Sequence, residues 1–348
     1  MSLRIAAAAV MLSVGLLAAA PMAQAQVPER YRRPVRAVAE HTITVPTPSG
    51  PALFGVFASE DWSDPQPDVT RVVIIFHGLL RNAADYLKAG VQARAAAGEA
   101  GRGVLVLAPQ FLADFDIPAH HLPANTLGWN YDRWAGGEAA TTPAPVSGFA
   151  AIDALLARLA DRSHFPKLHS VVLAGFSAGA QTLQRYAIAG KGDAALDALG
   201  IKVSYVVSDP SSFLYFTAER PVPQAQCPGQ NAWRYGFERG VPAYVTDSKE
   251  TLEARYARRD VTYLLGMADT DPNHPVLDKS CAGEAQGPHR VARTLAYFDM
   301  MKARHGAELN QRLIEVPGIA HEGQKMFNSA CGLAVLFDVP GCAALDGH

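Results

Sequence analysis

The chain has 348 residues with a formal net charge of −2 and 18% charged residues. It carries no basic run, which makes nucleic acid a poor partner, and past its first residues nothing approaches a transmembrane stretch. The length exceeds one usual domain but suits a large α/β sheet with an insertion.

Residues 1–25 read as a secretory signal peptide. Arg4 supplies a short positive region, residues 5–20 are apolar, and Ala23-Gln24-Ala25 is an A-x-A cleavage site. The apolar run is too short and too rich in small residues for a good membrane span. Cleavage is expected after Ala25, with a periplasmic or secreted location. Residues 26–40 are polar, carry Pro28 and Pro34, and read as an extended lead-in. Residues 41–57 alternate as a hairpin around Pro46-Thr47-Pro48-Ser49-Gly50.

Residues 71–76 (RVVIIF) form a buried strand that runs into His77-Gly78. Gly78 permits a turn that would aim the next N–H, that of Leu79, at a reacting carbonyl. The His77 imidazole is expected to hold this loop by a local hydrogen bond. Arg81 is expected to be solvated at a helix start, or to meet an acidic substrate group. A helix over 82–97 with Asn82 as N-cap follows, then a strand over 103–108. Residues 113–146 are irregular and hold Trp129, Tyr131 and Trp134. A loop this long is commonly functional or flexible. Its rings could wall a pocket or form a satellite core.

An amphipathic helix over 147–160 leads to residues 170–184, SVVLAGFSAGAQTLQ. An apolar strand, the pentapeptide Gly175-Phe176-Ser177-Ala178-Gly179 and a helix make up a nucleophile elbow. Ser177 then sits at the strand's C-terminal end and the helix N-terminus, where N–H groups stabilise negative charge. A strand over 202–207 follows. Residues 208–260 break the βα rhythm with Pro, Gly and aromatics, and read as a cap or lid inserted on the site's side. A strand over 261–265 ends in Gly266-Met267-Ala268-Asp269-Thr270-Asp271. A helix over 288–304, a strand over 313–316 and a loop carrying His321 come next. A helix over 324–337 closes the chain.

Alternating strands and helices imply a mostly parallel sheet flanked by helices, with ligands at the strands' C-terminal ends. His77, Ser177, Asp269 and His321 each follow a predicted strand. A serine hydroxyl needs a base within reach, and that base needs an orienting partner. The order Ser177, Asp269, His321 supplies nucleophile, acid and base. Asp271 is the rival acid. The stretch 269–280 fails as a calcium loop, with His274 at its sixth position and Ser280 at its twelfth. No metal and no cofactor are expected.

The stretches HGLLRN, GFSAG, LLGMADTDP and VPGIAHEG resemble the α/β-hydrolase superfamily from about Arg71 onward. More narrowly, they look like its exported bacterial members with a G-x-x-D-x-D-P acid loop. The resemblance implies an α/β-hydrolase fold with Ser177 as nucleophile, Asp269 as acid and His321 as base. It also implies an oxyanion hole from the backbone N–H groups of Leu79 and Ala178. The expected function is an exported serine hydrolase that cleaves a small or polymeric carboxylic ester. A peptidase or amidase of the same fold is the first alternative. A non-catalytic binding module is the second, and the complete triad argues against it. Substrate selection is expected from segments 113–146 and 208–260, through Trp129, Trp134, Phe213 and Tyr215.

The cysteines are Cys227, Cys281, Cys331 and Cys342, with no C-x-x-C spacing. An even count in an exported chain favours disulfides, and sequence leaves three pairings open. Cys331–Cys342 is the most local bridge. The remaining pair, Cys227–Cys281, would then tie the inserted segment to the core.

Overall fold

A computed structural model describes residues 29–343. The expected signal peptide lies outside the described residues.

Eight strands form one sheet: β1 (Thr42–Thr47), β2 (Gly50–Ala58), β3 (Arg71–Phe76), β4 (Val104–Pro109), β5 (Ser170–Phe176), β6 (Lys202–Ser208), β7 (Val261–Gly266) and β8 (Gln311–Val316). Their order is β1-β2-β4-β3-β5-β6-β7-β8. The first two pairings, β1 with β2 and β2 with β4, are antiparallel, and every later pairing is parallel. The central strands are buried on both faces, which explains their unbroken apolar runs. On β3, Val72, Ile74 and Phe76 enter one core, and Val73 and Ile75 enter the other. On β5, Val171 and Leu173 oppose Val172, Ala174 and Phe176 in the same way.

Short helices at Asp116–Ala119, Asp193–Asp197 and Cys281–Glu284 are additional to the expected helices, which appear with shifts at the ends. The first spans Ala83–Ala96, and Asn82 makes no capping bond; its side chain donates to Asp85 Oδ2 instead. The amphipathic helix spans Gly148–Leu159, with Ser147 capping through Phe149 N–H. The helix expected over 324–337 is two, Gly323–Phe327 and Ala330–Phe337. Ser329 starts the second by accepting from Gly332 N–H at 3.0 Å.

The break after β6 is shorter than 208–260. The βα rhythm resumes with a helix at Lys249–Arg258, so the long stretch without helix or strand is 209–248. That segment is buried at its start because side-chain amides stand in for a strand partner. Gln286 accepts from Phe213 N–H at 2.8 Å and donates to Phe213 O at 2.9 Å. Gln184 accepts from Leu214 N–H at 3.0 Å. The irregular segments also bind each other. Arg234 reaches Asp132 and Glu138, and Trp233 Nε1 donates to Gly136 O at 2.7 Å. Disulfides join Cys227 to Cys281 and Cys331 to Cys342.

The segment before β1 is packed as well as extended. Arg81 is buried, pairs with Asp116 at 2.8 Å and donates to the carbonyls of Tyr31 and Arg33. Asp116 also accepts from Val35 N–H at 2.9 Å. Arg81 is therefore neither solvated nor open to a substrate; it fastens the start of the chain to the loop after β4.

Candidate active site

Ser177 stands between β5 and the helix Ala178–Ala189 with φ 57° and ψ −117°. Positive φ at a non-glycine residue is strained, and the surrounding turn must impose it. The flanking glycines let the turn close. A Cβ on Gly175 would lie 2.5 Å from the Gly179 carbonyl, and one on Gly179 would lie 2.4 Å from Phe76 O. Ser177 N–H is fixed by Ser208 O at 3.0 Å, which ties the elbow to the end of β6.

Three side chains meet there from three strand ends. His321 Nε2 lies 3.0 Å from Ser177 Oγ, and His321 Nδ1 lies 2.6 Å from Asp269 Oδ2. The carboxylate can only accept, so Nδ1 carries the proton and Nε2 is free to accept from the serine hydroxyl. The loops bearing acid and histidine are joined through their backbones: Ala268 N–H donates to Ile319 O at 2.9 Å and Met267 N–H to Val316 O at 3.1 Å. Burial alone would raise the Asp269 carboxyl. The His321 hydrogen bond and the Arg290 charge outweigh it and hold that carboxyl below its ordinary value. Burial, helped by Arg290, pushes the His321 imidazolium below its ordinary value despite Asp269. A neutral imidazole beside an ionised carboxylate is the state in which a base can take a proton from serine. Asp271 lies outside this constellation, exposed, and its Oδ1 accepts from Asn273 N–H at 2.8 Å.

The loop after β3 reaches the same place. A Cβ on Gly78 would stand 4.0 Å from Ser177 Cβ and 3.0 Å from Tyr86 Oη. His77 is buried beneath it. Phe111 N–H donates to His77 Nε2 at 2.9 Å, so Nδ1 carries the proton and donates to Gly78 O at 2.8 Å. Burial lowers the His77 pKa to about 4, which keeps the ring neutral. Among the described residues, the N–H groups of Leu79 and Ala178 have no intramolecular acceptor.

Two groups that sequence reasoning did not single out complete the setting. Arg290 opens the helix Arg290–His305, is fully buried, and places Nη1 3.2 Å from Asp269 Oδ1. Its Nη2 lies 3.4 Å from His274 Nδ1, and the His274 ring stands edge-on to His321 with centroids 4.8 Å apart. Asp209, just past β6, is buried and accepts from Gly266 N–H at 3.0 Å. Burial raises its carboxyl to about 8. The sequence signal available for Asp209 was its place after a strand, shared with Ser177 and Asp269.

Trp129, Trp134, Phe213 and Tyr215 are brought into the core, where their rings pack on other rings. Trp134 stacks on Phe111 at 5.2 Å and meets the His77 ring edge-on at 4.8 Å. Trp129 packs on Phe111 and donates from Nε1 to Glu138 O at 3.2 Å. Phe213 stacks on Tyr297 at 4.4 Å, and Tyr215 meets the same ring edge-on at 5.0 Å. All four are buried, so none offers a face to a ligand in this conformation.

No protein-family model matches the chain, and comparison with curated proteins by sequence gives no match. Solved structures do resemble it. A poly(3-hydroxybutyrate) depolymerase, LpqC, from Bordetella parapertussis superposes with a TM-score of 0.61 at 23% identity, covering 89% of this chain and 94% of that one. Poly(aspartic acid) hydrolase-1 from Sphingomonas sp. KT-1 gives a TM-score of 0.56 at 20% identity, covering 83% and 96%. With the sheet order above, these similarities identify the fold as that of the α/β-hydrolases.

Proposed function

We propose that this protein is a serine hydrolase that cleaves a carboxylic ester through an acyl-enzyme on Ser177. The observation that carries the reading is the unbroken chain Ser177 Oγ, His321 Nε2, His321 Nδ1 and Asp269 Oδ2, with links of 3.0 and 2.6 Å. His321 takes the hydroxyl proton as Ser177 Oγ bonds to the ester carbonyl carbon. The carbonyl oxygen becomes an oxyanion, received by the N–H groups of Leu79 and Ala178. Asp269 stabilises the imidazolium formed meanwhile. The imidazolium then protonates the departing alcohol, the acyl group remains on Ser177, and a water activated by His321 releases it as a carboxylic acid. Preorganised N–H donors in such a hole are commonly worth about 10²–10³ in rate.

An ester is preferred over an amide because the first of the two similar structures is named for a polyester. Segment 209–248 is assigned to the cap over the site. Its disulfide to Cys281 and its ion pairs with Asp132 and Glu138 support that role. Two disulfides favour an exported location. No helix among the described residues is long and apolar enough to cross a membrane.

The test is hydrolysis of p-nitrophenyl esters and the matching anilides of rising acyl length by the wild type and Ser177→Ala. Ester cleavage that exceeds anilide cleavage and disappears in the variant is expected. Preferential anilide cleavage would make the protein an amidase, and undiminished ester cleavage by the variant would remove Ser177 from the mechanism.

A further inference from the structure

Gln181 is one helical turn past Ser177, and its backbone N–H donates to Ser177 O at 3.0 Å. Along the helix Ala178–Ala189 every other residue is buried; Gln181 alone is partly exposed. It is therefore the one side chain of the nucleophile's helix that reaches the surface, and it does so at the Ser177 end.

The orientation of its amide is fixed from behind. Arg185 Nη2 lies 3.1 Å from Ser212 Oγ and 3.4 Å from Gln181 Oε1. A guanidinium only donates, so Ser212 accepts from Arg185 and passes its own proton to Gln181 Oε1, at 2.9 Å. Two donors converge on that atom, which must be the oxygen. The other amide atom is then the nitrogen, and among the described residues no acceptor takes either of its hydrogens. Arg185 is buried and forms no ion pair among the described residues; its other donors end on the carbonyls of Arg234 and Ala135 at 3.1 and 3.0 Å. A cation held on the amide oxygen polarises the group and strengthens its N–H donors. Ser212 comes from the loop after β6, the strand whose Ser208 O binds Ser177 N–H, so both elements that frame Gln181 also frame the nucleophile.

We infer that Gln181 Nε2 is a substrate subsite, donating a hydrogen bond to a second carbonyl oxygen that lies a few bonds from the scissile ester. The substrate class is then an ester that carries another ester or ketone group, as every internal bond of an oligoester does, rather than a plain fatty acyl ester. This inference rests on the ester-hydrolase reading above. Buried Arg185 and Ser212 act through Gln181 and are positioning residues.

Two matched pairs test it. On the acyl side, p-nitrophenyl 4-oxopentanoate is compared with p-nitrophenyl pentanoate. On the alcohol side, the pentanoate ester of 4-hydroxybutan-2-one is compared with butyl pentanoate. The wild type should favour the carbonyl-bearing member of at least one pair by about tenfold in kcat/KM, the worth of one well-placed hydrogen bond. Gln181→Met removes both donors. Gln181→Glu removes them too while keeping an acceptor for Arg185 and Ser212, so it preserves the cluster. In both variants that preference should fall to within about twofold of unity. Equal wild-type rates within both pairs, or a preference that survives in either variant, would overturn the subsite while leaving the hydrolase reading standing. Failure of the wild type to hydrolyse any of the four esters would overturn both.

Discussion

Arg290 Nη1 lies 3.2 Å from Asp269 Oδ1, the carboxylate oxygen that His321 does not use. The Asp269 carboxylate is thus held from both sides, by a fixed cation on one oxygen and the imidazole on the other. Arg290 also repels the imidazolium, whose neighbours are Asp269, Arg290 and His274. The first prediction concerns this pair. In Arg290→Gln the carboxylate loses its buried partner, and stability should fall by about 3–5 kcal/mol. The repulsion is also lost, so the His321 pKa rises. In the proposed mechanism the neutral ring is the active form, so the acid limb of kcat/KM should move to higher pH. Arg290→Lys should restore most of the wild-type profile. An unshifted acid limb in the Gln variant would reduce Arg290 to a packing role.

The choice between the two acids of the loop makes a second prediction. Asp269→Asn should lower kcat by about 10⁴, because an amide favours the wrong tautomer and cannot stabilise the imidazolium. Asp271→Asn should stay within a few-fold of wild type, since among the described residues its carboxylate binds only its own turn. Steady-state kinetics on one ester settles the order, and a larger loss at Asp271 would reassign the acid.

A third prediction follows from the buried rings. Truncating Trp134 or Phe213 to Ala should cost about 3–5 kcal/mol of stability. Surviving activity should fall alike for short and long acyl chains. Denaturant melts and a chain-length series read the two effects. A selective loss on long chains alone would place these rings against the substrate.

The fourth prediction is a pH dependence of stability. His77 is fully buried and its pKa is lowered to about 4 from an ordinary 6.5. Between those values the unfolded chain binds the proton and the folded chain does not. Stability from this residue is therefore present above pH 6.5 and is lost as pH falls toward 4, by roughly 3 kcal/mol in all. His77→Gln should show a flatter profile over that window in urea titrations. An equal slope in wild type and variant would contradict the assignment.

The strands and the elbow were readable in the sequence because their causes are local. Two-sided burial writes continuous apolar runs into β3, β4 and β5, and the close approaches at Gly175 and Gly179 permit no side chain. The meeting of Ser177, Asp269 and His321 was readable because each follows a strand end. Contacts set by distant partners were not. Arg81 looks like a surface residue until Asp116, 35 residues away, closes on it. The stretch from Phe213 to Phe216 has no strand partner among the described residues, and its burial depends on Gln184 from the helix Ala178–Ala189 and Gln286 from the turn before Arg290. Nothing near Arg290 in the chain points to Asp269, because only the fold of the acid loop brings them together.

The central claim is that Ser177 is a nucleophile activated by His321. A fluorophosphonate probe reacts with such a serine and forms a stable phosphonyl ester in place of the acyl-enzyme. Treatment of the folded protein should give one adduct per chain, mapped by mass spectrometry to the peptide containing Ser177, and none in Ser177→Ala or after denaturation. A folded wild-type protein that takes up no label, or takes it up elsewhere, would contradict the mechanism.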